Sequence, residues 1–464
     1  MFLNIFTNLL IFLFIYRFMY VPCSHNAETI SDALLGCLMD WNVDRELSTL
    51  TVDNCTTNDA AIPIMKDKLF SSGLMLSGYF FPMCCAAHIL NLIVKDGMSI
   101  LDKGIVNIRE SVSYWTATTK RNEKFMETAR KLHIQSTKVL ALDMPVRWNS
   151  TYVMLSIALI YKSIFARLKQ RESGYKILPL EDDWVKARDL CDKLFLFYQV
   201  TKIFFGSKYP TTNLLFPKVC EIRMAITDWL SSSNENVKAM ASNMEENFLK
   251  YWDVTHGIMV VASILDPSYK MKLIEYFFPR IYGEHCATEI MRLQTICATL
   301  VREYKINYHV DNENYYSSHV PSRSDVTLDE YVDPLSDYDL FVSRKIPIDL
   351  GKSELDKYLK EPVMPRSTEF DILIWWKTNG IKYPLLSFIA RDILAIPVTT
   401  IASESAFSTG DRVVSPNRNR LHPKTLEALV CVQDLLWKEN KGPSLFDSLY
   451  QEDKDTDEVL RILF

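Results

Sequence analysis

An acidic side chain stands directly after a predicted β-strand near the start of the chain. Residues 47–52 form a short β-rich run, LSTLTV, and Asp53 follows it. A carboxylate in that position could hold Mg²⁺, which proteins bind through one or two carboxylates together with substrate phosphate oxygens. The alternative is that Asp53 and Asn54 cap the next turn, a role that both side chains favour. The residues alone leave both interpretations open.

A cysteine and a histidine open a predicted helix three residues apart. Cys85 and His88 begin the amphipathic segment CAAHILNLIVKDGM, so their side chains share one face, as half of a zinc site requires. The chain has 10 cysteines but no CxxC pair, and no second Cys/His pair at zinc-finger spacing follows. We therefore expect a buried structural pair, and neither a zinc finger nor a disulfide scaffold.

An arginine and a tryptophan lie in a predicted loop, DMPVRWNST, at residues 143–151. An arginine beside an exposed tryptophan can clamp a phosphate while the indole stacks on a base, so Arg147 and Trp148 are candidate DNA-binding residues. In the other interpretation, Trp148 fills the junction between layers and Arg147 pairs with Asp143.

A glutamate in an apolar setting precedes three arginines near the C-terminus. Glu404 lies in the segment IPVTTIASESAFS, where an unpaired charge would be costly, so it needs a partner. Arg412, Arg418 and Arg420 follow, and they could meet either Glu404 or the phosphates of nucleic acid.

The next segment, KTLEALVCVQDLLW at residues 424–437, is a predicted helix with more apolar surface than one groove needs. Such a surface favours a partner helix or a second subunit. The candidate dimerisation residues are Leu426, Leu429, Val430 and Leu436.

Composition indicates what kind of fold must position these residues. A chain of 464 residues is long enough for about three domains. Only 13 glycines favour long helices over a loop-rich sandwich, and helical stripes dominate from Tyr152 onward. The net charge of −5 excludes nucleic-acid binding by bulk charge, so such binding needs a local basic patch. Residues 307–325 lose periodicity and are typical of a linker.

The first 16 residues, MFLNIFTNLLIFLFIY, form the most unusual stretch of the sequence. As a helix they would span about 24 Å, short of a hydrocarbon core of about 30 Å, and they lack the basic start of a signal peptide. The targeting interpretation competes with that of a buried strand, or of a start outside the ancestral fold.

Together these segments resemble the plant hAT-superfamily transposases of the Ricesleeper type. Five separated motifs occur in family order, and the resemblance covers about residues 17–437. The motifs are LSTLTVDNCTTND (47–59), CAAHILNLIVKDGM (85–98), DMPVRWNSTYVML (143–155), FLKYWDVTHGIMVVASILDPSYKM (248–271) and PVTTIASESAFSTGDRVVSPNRNRL (397–421).

The resemblance implies an α/β fold with a large all-α insertion: a partial ribonuclease-H-like core, interrupted by a helical domain and completed by a C-terminal helical dimerisation segment. Asp53 and Glu404 match the second Asp and the Glu of a two-metal Asp-Asp-Glu triad. Cys85 and His88 match a CxxH motif that supports the active site, and Trp148 matches a tryptophan associated with flipped DNA ends. The implied segments are 1–16 (outside the match), 17–150 (core), 151–306 (helical insertion), 307–352 (flexible linker), 353–437 (dimerisation) and 438–464 (polar tail).

This sequence departs from the family pattern at its start. In the family, the BED zinc finger and the first catalytic Asp lie well before the second Asp in the sequence. Here only 52 residues precede Asp53, the match to the second Asp. Asp32, Asp40 and Asp44 fall in or just after a helix that matches a later segment. Pro82 and Cys84 stand where the family has a His and an Arg.

We therefore expect a truncated, catalytically inactive transposase relative in the nucleus. It would bind DNA weakly, form homodimers or heterodimers with related hAT proteins, and use no small-molecule substrate. Mg²⁺ or Mn²⁺ is expected only if activity is retained, and otherwise no cofactor. One alternative is a membrane-anchored or secreted protein, against which the glycosylation sequons at Asn54 and Asn149 argue, because the fold would bury them. A second is a residually active transposase.

Overall fold

Two short parallel strands begin the fold. The computed structural model describes residues 21, 26–45, 47–69, 74–100, 102–145, 147–205, 209–318, 353–367, 370–400, 413–414 and 421–440. Strand β1 (Leu50–Val52) pairs in parallel with β2 (Pro82–Cys84), so that Val52 lies opposite Cys84. The β-rich run predicted at residues 47–52 is confirmed in its second half.

Two helices pack beside this strand pair. Helix α1 (Ala27–Asp40) starts at Asn26, whose side chain accepts a hydrogen bond from the backbone amide of Thr29 at 2.9 Å. Helix α2 (Thr56–Leu69) follows β1. Buried residues of both helices meet the strand pair in one apolar cluster, which includes Leu34, Leu38, Met65, Leu69, Leu50 and Phe81.

A long run of helices follows β2. They are α3 (Ala86–Ser99), α4 (Asp102–Thr116), α5 (Thr119–Lys131), α6 (Trp148–Ile160), α7 (Lys162–Lys169), α8 (Glu181–Phe204), α9 (Thr212–Leu230) and α10 (Glu235–Ile264). Helices therefore dominate from Ala86, earlier than the stripes beginning at Tyr152 predicted. Phe125 of α5 packs against Phe165 of α7 with ring centroids 5.1 Å apart, and Trp115 lies 5.9 Å from Phe125.

Residues 264–393 form a second compact unit, separate from the unit made by 1–263 and 394–464. Its helices are α11 (Lys270–Tyr282), α12 (Cys286–Ser318), α13 (Glu354–Lys360), α14 (Ile372–Asn379) and α15 (Pro384–Leu394). Helix α12 runs to Ser318 and so occupies the first residues of the predicted linker. The rest of that predicted linker, residues 319–352, lies outside the described residues.

The centre of the second unit is a polar and aromatic cluster, the Tyr358 hub, formed by Lys270, Tyr358 and Trp376. All three side chains are buried. The Tyr358 hydroxyl donates to the carbonyl of Ile264 at 3.1 Å, and the Trp376 indole donates to that of Leu265 at 3.0 Å. The Lys270 ammonium donates to the carbonyl of Tyr358 at 2.6 Å and lies 4.3 Å from the centre of its ring. Burial lowers the pKa of Lys270.

The chain then returns to the first unit and ends its described part in helix α16 (Pro423–Asn440). In the part of the chain that the structure describes, no single helix is both long and apolar enough to cross a membrane. The pair α6 and α7, bent by 66°, reaches that length and hydropathy only when the two helices are taken together. The apolar residues 1–16 lie outside the described residues.

Candidate functional site at the strand edge

The carboxyl ends of the two strands bring Asp53 and Cys85 to the same edge. Asp53 follows β1, and Cys85 follows β2 as the residue that precedes α3. The backbone amide of Cys85 donates to the carbonyl of Val52 at 3.0 Å, which continues the ladder to this edge. Parallel strands thus place two residues that are 32 positions apart in sequence next to one another.

A third segment, far away in sequence, completes the edge. The Thr51 hydroxyl donates to the carbonyl of Pro397 at 2.7 Å, and the amide of Ala86 donates to that of Val398 at 2.9 Å. The Thr400 amide and hydroxyl both donate to the Cys85 sulfur, at 3.3 and 3.2 Å. We call the site formed by Asp53, Cys85 and Thr400 the strand edge. Sequence reasoning missed Thr51 and Thr400, because local pattern does not show pairings across more than 300 residues.

Asp53 is exposed at this edge, and its carboxylate binds a neighbouring amide. The Asn58 side chain donates to Asp53 Oδ1 at 2.6 Å and to the Asp53 carbonyl at 3.2 Å. Neither side chain caps the next turn, so that alternative is wrong. The Asp53 carboxylate accepts a hydrogen bond from the side-chain amide of Asn58 and none from a described backbone amide. Both polar atoms of the Asn54 side chain are buried without a hydrogen-bond partner in the described structure. Such a group costs about 1–3 kcal/mol in most proteins.

Cys85 and His88 occupy different environments. Cys85 is fully buried, and its thiol is engaged by Thr400, whereas His88 is half-buried. The neighbouring thiol of Cys84 has a raised pKa, mainly because of burial and then because of the Asp59 charge. Among the described residues, no group of three His, Cys, Asp or Glu side chains is placed to hold a metal ion.

The strand edge supplies one side chain that could bind a hard divalent cation. Asp53 is exposed and supplies carboxylate oxygen, the donor that Mg²⁺ prefers. The second predicted carboxylate, Glu404, lies four residues beyond Thr400 and outside the described residues, as do Arg412, Arg418 and Arg420. Among the described residues, the edge therefore presents a single carboxylate ligand, beside residues 397–400.

The pair Arg147 and Trp148 is placed differently from its DNA-binding prediction. Trp148 is 2% exposed and packs edge-on against Phe197, so the premise of an exposed indole is wrong and the layer-filling interpretation is confirmed. Asp143 is paired instead with Arg109, through two hydrogen bonds of 2.8 Å, and accepts a third from Thr151 at 2.6 Å. The predicted pairing of Asp143 was therefore assigned to the wrong arginine. Arg147 is half-buried.

Helix α16 presents two kinds of apolar side chain. Val430 is fully buried within the chain and Leu426 is half-buried, so Val430 contributes to the interior in this structure. Leu429, Val432 and Leu436 are 44%, 49% and 50% exposed. Their spacing of three and four residues puts them on one side of the helix, and we call them the α16 stripe.

A strand pair with an aspartate at its carboxyl edge, a long helical region and a returning C-terminal segment fit a partial ribonuclease-H-like core that is interrupted by helices. Family models agree with this class along most of the chain. They are a ZBED1 RNase-like domain (12–80), a ZBED1 RNase-like helical domain (83–193), a hAT-like transposase with RNase-H fold (213–304) and a hAT family C-terminal dimerisation region (354–436). Along these segments the chain is similar to hAT transposase-related proteins.

Similar proteins occur in several plants. The rice (Oryza sativa subsp. japonica) zinc finger BED domain-containing protein RICESLEEPER 2 is 36% identical over 432 residues, which cover 90% of this chain and 60% of that protein. A putative AC transposase of Zea mays is 33% identical over 453 residues, 96% of this chain and 55% of its own length. The zinc finger BED domain-containing protein DAYSLEEPER of Arabidopsis thaliana is 31% identical over 421 residues, which cover 90% of this chain and 58% of that protein. The chain thus spans somewhat more than half the length of these relatives.

Proposed function

We propose that this chain is a transposase-related protein that self-associates through the C-terminal helix and binds DNA without cutting it. The observation that carries the proposal is the α16 stripe, because three large apolar side chains lie exposed on one helix face inside the matched dimerisation region. Exposed apolar surface of this kind is typical of an interface. The occupant that we propose is the same helix of a second copy or of a related hAT protein.

Size-exclusion chromatography with light scattering tests the dimer. The unchanged chain is expected to elute as a dimer at micromolar concentration, and Leu429→Lys with Leu436→Lys is expected to convert it to a monomer. Ser242→Lys with Gln294→Lys adds the same two charges at exposed polar positions on α10 and α12, away from α16, and serves as the matched control. A monodisperse monomer of the unchanged chain would overturn this part of the proposal.

DNA is the proposed partner because this chain is similar to hAT transposase-related proteins, and the names of its relatives include a transposase and BED zinc-finger proteins. Arg147 and the arginines 412, 418 and 420 are the predicted contacts. Changing each to Gln should weaken binding of a labelled duplex in fluorescence anisotropy, with a shallower salt dependence. Trp148→Phe, rather than Trp148→Ala, is the appropriate companion variant, because Trp148 is a core residue. Unchanged binding in all of these variants would contradict the assignment.

Catalytic inactivity is the remaining part of the proposal, and a residually active metal-dependent transposase is the second candidate. The exposed Asp53 at the strand edge favours that second candidate, since Asp53 would hold Mg²⁺ or Mn²⁺ together with Glu404. A Mn²⁺-dependent plasmid-nicking assay separates the two. No nicking is expected, whereas nicking that Asp53→Ala and Glu404→Ala each abolish would establish the second candidate.

Nuclear location follows from the proposed partner. A fluorescent fusion of the full chain in plant cells should accumulate in the nucleus. Membrane-associated fluorescence, or a mass shift on glycosidase treatment, would instead favour the secretory pathway.

A further inference from the structure

One stretch of the helical region carries a charge opposite to that of the rest of the chain. Residues 119–180, from the start of α5 to the residue before α8, contain 12 of the chain's 52 Lys and Arg but only 4 of its 57 Asp and Glu. Its net charge is therefore +8, within a chain of net charge −5. This is the local basic patch that an acidic chain needs in order to meet a polyanion.

Helix α5 turns its basic residues outward from a buried apolar face. Phe125, Thr128 and Ala129 are buried, whereas Lys120, Lys124 and Lys131 are exposed. Lys120, Lys124 and Lys131 are separated by four and seven residues, so they share one face of the helix. From Lys120 to Lys131 that face extends about 16 Å, at a rise of 1.5 Å per residue.

The loop after α7 adds to the same surface. Lys124 hydrogen-bonds to the Glu172 carboxylate, and Arg121 stacks over the Tyr114 ring at 4.0 Å. The hydrogen bond and charge of Lys124, with the charges of Arg121 and Lys120, hold the pKa of Glu172 below its ordinary value. One carboxylate is thus surrounded by three cations, and Arg171 precedes it in the chain. We call Lys120, Arg121, Lys124 and Arg171 the basic face.

Much of this charge is not neutralised within the protein. Lys120 and Arg171 are exposed, and neither forms an ion pair with any residue that the structure describes. The same holds for Arg167 and Lys176 nearby. Cations left unpaired on a folded surface remain available to an external anion.

We propose that the basic face binds the phosphate backbone of duplex DNA. This inference rests on the proposed function, to which it adds a contact surface outside the strand edge and outside residues 147–148 and 412–420. Lys120, Arg121 and Lys124 on the rigid helix α5, with Arg171 on the adjoining loop, suit a rigid polyanion, whose strands advance about 3.4 Å per nucleotide. A lipid surface fits less well, because the apolar face of α5 is already buried in the protein and cannot insert.

The experiment measures binding of a labelled 24-base-pair duplex of mixed sequence to the full chain, over a series of salt concentrations. Lys120→Gln with Arg171→Gln should weaken binding about tenfold and reduce the slope of log K against log salt by about 2. The matched control, Lys238→Gln with Lys305→Gln, removes two exposed charges from α10 and α12 and should leave both quantities unchanged.

A gain of affinity provides the sharper test. Glu172→Gln removes the carboxylate in the middle of the basic face and frees Lys124, so duplex binding should tighten about threefold and depend more steeply on salt. A misfolded variant would lose affinity rather than gain it. Glu275→Gln, which frees the exposed Lys272 on α11 in the same way, is the control and should have no effect.

Three results would overturn the inference. If duplex binding is unchanged both by Lys120→Gln with Arg171→Gln and by Glu172→Gln, this inference is overturned but the proposed function is not. If the chain binds phosphatidylserine vesicles or polyglutamate more tightly than duplex DNA, the partner of the basic face is that anion and not DNA. Absence of any duplex binding by the unchanged chain would overturn the proposed function as well.

Discussion

The strand edge and the Tyr358 hub use polar side chains in opposite ways. In the hub, the buried Lys270 donates to two backbone carbonyls, those of Tyr358 and Glu361, and also lies against an aromatic ring. At the strand edge, Asp53 is exposed, and the Asn54 amide is buried without a described partner. Saturated buried groups hold a structure together, whereas the exposed Asp53 carboxylate is available to a ligand. The contrast identifies the hub as structural and the edge as the candidate site.

The largest expected effect is at the hub. Lys270→Met keeps most of the side-chain volume but removes the ammonium, so the carbonyls of Tyr358 and Glu361 lose their donor in a buried setting. We expect the free energy of unfolding to fall by about 3 kcal/mol. Urea denaturation followed by tryptophan fluorescence measures it, since Trp375 and Trp376 lie beside Tyr358.

The control for that change lies two residues away. Lys272 is exposed and pairs with the exposed Glu275, and such surface pairs contribute at most about 1 kcal/mol. Lys272→Met should therefore leave the urea midpoint nearly unchanged. If Lys270→Met and Lys272→Met lower the free energy of unfolding equally, the hub contributes no more to stability than an exposed surface pair does.

A smaller effect is expected where the C-terminal segment joins the strand edge. Thr51→Val removes the hydrogen bond to the Pro397 carbonyl and should cost about 1 kcal/mol. Limited proteolysis should then cut faster near residues 396–400. Thr49→Val is the matched control, because Thr49 has no described hydrogen bond. Identical cleavage patterns for the two variants would show that this bond does not anchor the segment.

The smallest effect is expected at Asn54. Asn54→Ala loses side-chain packing but also removes the cost of a buried amide without a described partner, and because these two terms oppose each other the free energy of unfolding should change by less than about 0.5 kcal/mol. Asn58→Ala, which removes the 2.6 Å bond to Asp53, should cost more. Thermal denaturation of the two variants side by side gives the comparison. A loss at position 54 that exceeds the loss at position 58 would mean that Asn54 is satisfied in solution.

Local pattern was enough to predict the features that depend on neighbouring residues. The strand before Asp53, the helix after Cys85 and the exposed side of the C-terminal helix all follow from periodicity and strand-end position. Helices α4 and α5 were not predicted because their sequences contain many charged and few apolar residues, although α5 does bury Phe125, Thr128 and Ala129 on one face. The continuation of α12 to Ser318 was missed for a similar reason, since a run of Asn, Tyr and Ser has no apolar stripe.

Features that join distant residues could not be predicted in this way. Asp143 pairs with Arg109, 34 residues away, rather than with the nearby Arg147, because α4 brings the farther arginine against it. The hub likewise needs a lysine and a tyrosine 88 residues apart, and Lys270 adopts a left-handed backbone conformation (φ 49°) that its own sequence does not favour. Glu404 remains a prediction from the family resemblance.

The bond from Thr51 to Pro397 also sets a condition on how the protein is made. The two residues are separated by 346 positions, so a ribosome must have synthesised nearly the whole chain before the strand edge can close. Until then, the Thr51 hydroxyl of β1 and the Ala86 amide at the start of α3 lack their partners in the C-terminal segment. Such late closure is slow and leaves the chain prone to aggregation, which makes it a natural client of chaperones. A premature stop before residue 397 would therefore leave even the N-terminal strands unfinished.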